Sequence, residues 1–269
     1  MNLRQCIHRT SLLAILLGAT MTARGAVKVR ASSLLFFESF NDSTGQIELR
    51  NGARFGDAGS GVSGQEADKC YLGEVANVEA PEASAVALIK SVFPVRGLEE
   101  MTITVWYKPA EHQALDASLF DAGSMYLISG KNGAWVLRVG AANIPKNTFY
   151  WFDSNPTGPY SHWLQPNEWI FASFVWKKSA NEACFYQGTK SAPVKKARCV
   201  TRNVTVGGLT ERGDRDKRPD VLGNTVNPRY FRPFNGGMDN VRIYSKALDE
   251  AALDQIREAD LKNEPPPEF

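Results

Sequence analysis

Histidine is nearly missing from this chain: three residues in 269. A metal centre built on imidazole has almost nothing to draw on. A charge excess of one sign is missing too. Lys and Arg number 31 against 29 Asp and Glu, a formal net charge of +2. Neutralising a phosphate backbone takes a basic surplus, so no nucleic-acid partner is expected. No apolar run reaches the roughly 18 residues of a membrane-spanning helix, so no membrane span is expected. The chain carries no Gly-x-Ser-x-Gly, no His-Glu-x-x-His and no phosphate-binding loop, which removes the familiar hydrolase, zinc-protease and nucleotidase signatures. It has no low-complexity linker and no internal repeat. What remains is an ordinary globular composition, 43% hydrophobic and 22% charged, in a chain long enough for one large domain with a sizeable core.

The first 25 residues read as an address. Arg4 and Arg9 precede the apolar run Ser11–Met21, and Ala23-Arg-Gly25 supplies small residues where a signal peptidase reads. This is the three-part pattern of a secretory leader. Removing Met1–Gly25 shortens 269 residues to 244. It takes three arginines and no acid with it, so the net charge falls from +2 to −1. The expected localisation is secreted, periplasmic or cell-surface, where disulfides persist. Three cysteines then remain. Cys184 and Cys199 sit in two strand-like runs, Ala183–Gln187 and Ala192–Val200, joined by Gln187–Ser191. A hairpin there brings them face to face, so they are the expected disulfide. Cys70 is left over, buried or paired elsewhere.

The rest of the chain is written mostly in the period of strands. Apolar, β-branched and aromatic runs recur at Leu34–Phe40, Ala85–Lys90, Met101–Tyr107, Tyr126–Ser129, Trp135–Val139, Phe149–Phe152, Trp169–Trp176 and Val241–Tyr244. In Met101–Tyr107, Met, Ile, Val and Tyr share one face; Thr, Thr and Trp share the other. Trp169–Trp176 is apolar on both faces, which predicts a central strand. Gly130-Lys-Asn-Gly133 reads as a hairpin turn. One helix is expected, within Ala247–Leu261, with Leu248, Ala252, Leu253 and Ile256 on one face and Asp249–Glu250 at its start. Gly207–Asn227 reads as a surface loop. The tail 263–269, with three consecutive prolines, cannot continue the helix and is expected to be loose. Many strands and one short helix predict an all-β sandwich.

Several segments resemble one family. Phe234-Asn-Gly-Gly-Met-Asp-Asn-Val-Arg-Ile-Tyr-Ser-Lys-Ala-Leu248 is similar to the closing signature of LamG-like jelly rolls, within the concanavalin A-like lectin/glucanase superfamily. Here Met238 stands for the usual Ile and Asn240 for the second acid. Met101–Pro109, Asn167–Val175 and Phe185-Tyr-Gln-Gly188 resemble the family's inner strands, in the right order and spacing. The resemblance implies a two-sheet antiparallel jelly-roll sandwich over residues 26–262, with a short C-terminal helix.

Two candidate sites follow. Asp239 comes just after Gly236-Gly237, where the backbone can approach an ion or another chain. The first mature strand ends at Phe40-Asn-Asp-Ser43, rich in oxygen ligands. The family places the first and last strands side by side, so Asp239 is expected near Asn41 and Asp42, as hard ligands for a structural Ca²⁺. The bland alternative is an aspartate that caps a turn. The second candidate is Thr148–Trp163, where Tyr150, Trp151, Tyr160 and Trp163 alternate with Asp153, Asn155 and His162. Aromatic rings that stack on sugars, with polar groups for the hydroxyls, make a carbohydrate surface. The alternative is that these rings fill the core. Alternation puts Tyr150 and Phe152 on one face and Phe149 and Trp151 on the other.

The Glu-x-Asp-x-x-Glu strand of the laminarinase-like relatives is absent, though Asp121, Asp153 and Glu168 are acids that a fold could still bring together. No catalytic residue is assigned. Gly59–Gly64 matches Gly-x-Gly-x-x-Gly without a surrounding βαβ unit and reads as a flexible loop. Arg212-Gly-Asp214 reads as solvated surface. Asn41-Asp-Ser43 and Asn203-Val-Thr205 are glycosylation sequons. The expectation is a non-catalytic, lectin-like module that binds a glycan or polysaccharide. The alternatives are a glycan hydrolase or lyase of the same fold, and a structural module that contacts an extracellular protein.

Overall fold

The computed structural model describes residues 32–42, 45–74, 84–91, 98–111, 117–122, 125–129, 135–140, 149–153, 165–201, 219–225 and 232–269. Two antiparallel sheets form its framework. The first contains β1 (Leu34–Glu38), β3 (Arg54–Phe55), β4 (Tyr71–Gly73), β6 (Glu100–Pro109), β11 (Ile170–Lys177), β12 (Glu182–Thr189), β13 (Lys195–Thr201) and β15 (Gly236–Tyr244). Their order is β13-β12-β11-β6-β15-β4-β3, and β1 pairs with the second half of β15. The second sheet contains β2 (Ile47–Arg50), β5 (Val86–Ile89), β7 (Ser118–Asp121), β8 (Met125–Ser129), β9 (Trp135–Gly140), β10 (Phe149–Asp153) and β14 (Val221–Leu222). Its order is β10-β9-β8-β7-β14-β5-β2. The jelly-roll sandwich expected from the sequence is the fold found.

Alternation decides which side chains meet in the middle. Met101, Ile103, Val105 and Tyr107 of β6 and Ile170, Ala172, Phe174 and Trp176 of β11 enter the core between the sheets. Trp135 and Leu137 join them from the opposite sheet. The Trp135 indole donates to the Tyr107 hydroxyl at 3.0 Å, and their rings meet edge to face.

β11 is apolar on its other face because that face is covered as well. α1 (Glu250–Leu261) lies there. Leu253 and Ile256 pack with Trp106, Phe171, Val175 and Cys184 in a second core. Asp249 caps the helix, its carboxylate accepting from the Ala252 amide at 2.9 Å, which satisfies one of the free N–H groups of the first turn. At the other end Asn263 takes φ +54°. Its amide bonds the Asp260 carbonyl, and the Glu264 amide bonds the Ala259 carbonyl. This is the Schellman turn that ends a helix in a left-handed residue. Beyond it Phe269 sets its ring against Tyr244 at 5.9 Å.

Cys184 and Cys199 are directly opposite in β12 and β13 and form a disulfide. Cys70 is a free, buried thiol. Five short strands lie outside the runs read from the sequence: β2, β3, β4, β7 and β14. β14 falls inside Gly207–Asn227, where the sequence pattern predicts a loop. Its residues Val221 and Leu222 are buried between β7 and β5.

Candidate functional site

The outward face of the second sheet is fixed by register. Residues directly opposite in neighbouring strands share a face, and alternate residues face opposite ways. Leu137, Phe120, Leu222 and Ala87 lie in the core. Phe152 is opposite Leu137 and Tyr150 is opposite Val139, so both occupy core-facing positions. The intervening row runs across the sheet through β10, β9, β8, β7, β14, β5 and β2. It reads Trp151, Arg138, Tyr126, Asp121, Val221, Leu88, Glu48. This row alternates with the core row, and within it Asp121 and Val221 are buried; Asp153 pairs with Val136 in the same phase.

The register thus splits the sequence candidates. By register, Trp151 and Asp153 hold one phase of β10 and Tyr150 the other. Asn155, Tyr160, His162 and Trp163 lie outside the described residues. Arg138 and Tyr126 join Trp151 in the row. Neither was picked out as a site residue, because cross-strand pairing of separate strands leaves no mark in local sequence. Asp121 and Asp153 share that phase but are three strand spacings apart, about 14 Å of backbone at ~4.8 Å each. Paired catalytic carboxylates of glycosidases stand roughly 5 to 9.5 Å apart. Glu168 is exposed, just ahead of β11.

A second site forms where β15 crosses the first sheet. Gly236 has φ +137°, and a Cβ there would fall on the Lys108 carbonyl oxygen. Glycine is therefore required to bring β15 this close to β6. The Gly59–Gly64 segment is not a loose loop. It folds down so that Val62 is buried, and the Val62 amide donates to Asp239 Oδ2 at 2.8 Å. Asp68 closes the same loop: its Oδ2 accepts from the Ser63 amide at 2.7 Å, and its carboxylate lies against Gly61. Asp239 and Asp68 are both fully buried, and in each the second oxygen, Oδ1, has no hydrogen-bond partner. Burial above all, and then the Asp68 charge, hold the Asp239 carboxyl well above the usual carboxylate range. The Val62 amide opposes that shift.

Asn41 braces the other arm of this loop, its Oδ1 accepting from the Lys69 amide at 2.8 Å. Asp42 is exposed. Asp239 and Asn41 thus hold one loop from two sides, one residue away from Asp68 in Asn41's case. Two buried carboxylates that face each other's field, each with an orphaned oxygen, are a hard-oxygen donor set that suits a divalent cation such as Ca²⁺. Asp68 was not singled out in the sequence; it lies 171 positions from Asp239, and only the loop's fold joins them. Glu182, Cys184 and Cys199 also cluster, but both sulfurs are spent in the disulfide, so no thiolate is left to bind a metal.

Beside this site a buried ion pair anchors the helix. Arg242 Nη2 and Nη1 donate to Asp260 Oδ1 at 2.5 Å and Oδ2 at 3.0 Å. The Trp106 indole donates to the same Oδ2 at 2.9 Å. The Arg242 guanidinium also lies 4.3 Å above the Phe37 ring centre. Burial raises the Asp260 carboxyl, and Arg242 opposes it.

A family model described as the Concanavalin A-like lectin/glucanases superfamily matches residues 81–253. No curated protein matches the sequence. Among solved structures, domain 4 of AbnA, a GH43 extracellular arabinanase from Geobacillus stearothermophilus in complex with arabinotriose, superposes with a TM-score of 0.53. The two are 16% identical, over 83% of this chain and 98% of that one. The botulinum neurotoxin serotype D binding domain superposes with a TM-score of 0.51 at 8% identity, over 84% of this chain and 51% of that one. At these identities the likeness is one of fold. No helix among the described residues is long and apolar enough to cross a membrane.

Proposed function

Because the chain belongs to the concanavalin A-like lectin/glucanases superfamily, we propose that it is a non-catalytic carbohydrate-binding module, released to the cell exterior or surface by cleavage after Gly25. The sandwich of residues 26–262 carries the binding face. One observation carries the reading: the cross-strand row Trp151–Arg138–Tyr126, with Asp153 in the same phase of β10. Trp151 and Tyr126 are two strand spacings apart, about 10 Å. Two aromatic residues at that separation, with a guanidinium between them, offer stacking surfaces for consecutive sugar rings and donors for their hydroxyls. Asn155, Tyr160, His162 and Trp163, in the segment that leaves β10, complete the proposed surface.

A Ca²⁺ bound here would supply charge to hold the loop of residues 56–70 to the closing strand. Asp239 and Asp68 would hold it through their unpartnered oxygens, with Asp42 at the adjoining turn and Asn41 bracing that turn through the Lys69 amide. Its role is structural; the sugar face lies on the other sheet.

The test is retention of the mature protein on a broad polysaccharide array, run in Ca²⁺ and again in EDTA. Selective retention that Trp151→Ala removes, in a protein that still melts cooperatively, supports the reading. A blank array from folded protein in both buffers refutes it and leaves a module that contacts a protein.

A further inference from the structure

A small cavity lies on the other side of the molecule from the Trp151 row, against the outer face of the first sheet. Its volume is about 170 Å³, and it is bounded by β1, the β15 bulge and the turn after α1. The walls include Phe37, Asn41, Asn240, Asn263, Glu264 and Pro265. Local structure explains why these residues meet. The register of β15 against β6 slips between Asp239 and Arg242, and Asn240 takes φ +49° there. A bulge of this kind turns a side chain out of the regular alternation. The Schellman turn then sets Asn263, Glu264 and Pro265 along the opposite rim.

The decisive feature is the Asn240 carboxamide. Asn240 is only 5% exposed and lines the cavity, yet no hydrogen bond reaches its side chain among the described residues. Its amide atoms are open to the cavity, so a ligand hydroxyl that enters can meet both its donor and its acceptor. By contrast Asn41 is committed at both ends, to the Lys69 amide and to Asn263 Oδ1 at 3.3 Å.

We propose that this cavity binds one neutral sugar residue at the end of a glycan chain. The proposal rests on the carbohydrate-binding reading above for the class of ligand, and differs from it in place. Amides both donate and accept, as a hydroxyl does, and Asn240 and Asn263 flank the space. Phe37 and Pro265 supply apolar walls for the ring. The volume corresponds to roughly five or six waters at ~30 Å³ each, room for a single ring and not for a chain passing through. Asp260 is already answered by Arg242, so the uncompensated charge at the rim is the exposed Glu264 carboxylate. That charge accepts hydrogen bonds from hydroxyls and repels an acidic sugar.

The test follows the Asn240 side-chain amide by NMR. Mature protein is titrated with arabinose, galactose, glucose and N-acetylglucosamine, and separately with N-acetylneuraminic acid. At about 10 mM sugar, a millimolar affinity moves the amide signals measurably. At least one neutral sugar is expected to shift them, and the acid to leave them in place. Asn240→Leu and the rim change Glu264→Ala are each expected to weaken binding about fivefold or more. Glu264 is exposed, so its variant folds whatever becomes of Asn240→Leu. Trp151→Ala is expected to leave this titration unchanged.

No shift with any neutral sugar overturns the proposal. So does equal binding of the acid, or affinity that survives Glu264→Ala undiminished. Polysaccharide retention that persists while the cavity stays silent overturns the cavity alone. A silent cavity together with a blank array overturns both readings.

Discussion

Replacing Asp260 by Asn tests whether α1 is held to the sheet by charge or by packing. The Arg242 and Asp260 side chains are 0% and 1% exposed. Asp260 accepts from both terminal nitrogens of Arg242 and from the Trp106 indole. An amide has one acceptor oxygen for three donors, and it turns an NH₂ toward at least one of them. Arg242 keeps its charge, now buried without a counter-charge. Breaking a buried pair from one side costs about 3 to 5 kcal/mol. The compact unit Ser32–Phe269 has an unfolding entropy near 0.5 kcal/mol/K at ~2.1 cal/mol/K per residue, so the melting temperature should fall by about 6 to 10 °C. Thermal unfolding near neutral pH, followed by calorimetry and circular dichroism together, reads this directly. The double change Arg242→Met with Asp260→Leu removes both charges at similar volume and should recover most of the loss. A fall of less than about 2 °C for Asp260→Asn would refute the reasoning. A double variant as unstable as the single one would assign the cost to packing instead.

Three further outcomes follow from the same structure. Burial pushes the Tyr244 phenol up to about 12 and raises Tyr71 and Tyr107 in the same direction. A raised phenol stabilises the fold fully below its unfolded value of 10 and loses that contribution as pH climbs toward 12. Denaturant midpoints should therefore fall between about pH 10 and 12, and less steeply in Tyr244→Phe. Burial also holds the Cys70 thiol at about 11, so a thiol reagent near neutral pH should find this cysteine only after denaturation. Replacing Cys184 and Cys199 together by alanine opens a loop with a separation of 15 residues and should cost about 3 kcal/mol of stability, read as a lower denaturant midpoint.

How much of this was legible in the sequence depended on how local each signal was. β6 and β11 were readable because their own alternation states what they bury. Met101, Ile103, Val105 and Tyr107 all reach the core. The double-sided apolarity of β11 was readable too, although its cause, a helix over the outer face, was not. The Cys184–Cys199 bond was visible because one hairpin joins the two residues. β14 was missed because two residues, Val221 and Leu222, carry no periodicity; β7 and β5 impose strand pairing on them from either side. α1 began at its cap, as the acids at its start suggested, because capping is a matter of neighbouring residues.

The candidate sites divide along the same line. Asp239 could be found from its own flanking glycines. Its partner Asp68 could not, since nothing in Gly56–Cys70 announces that Val62 will be drawn down onto β15. Trp151 could be suspected from a run of aromatic residues, but only the register puts Tyr150 opposite Val139 and Trp151 in line with Arg138 and Tyr126. Asn240 is the sharpest case. In sequence it is a neutral residue at a position where the resembling pattern carries an acid. In the fold a slipped register and a left-handed backbone turn it into the wall of a cavity with its amide unanswered. A regular strand at that position would have sent the side chain to a face the helix or the core already fills. The bulge that breaks the alternation is also what makes a polar cavity there possible, so the place where sequence periodicity fails is the place to look for a ligand.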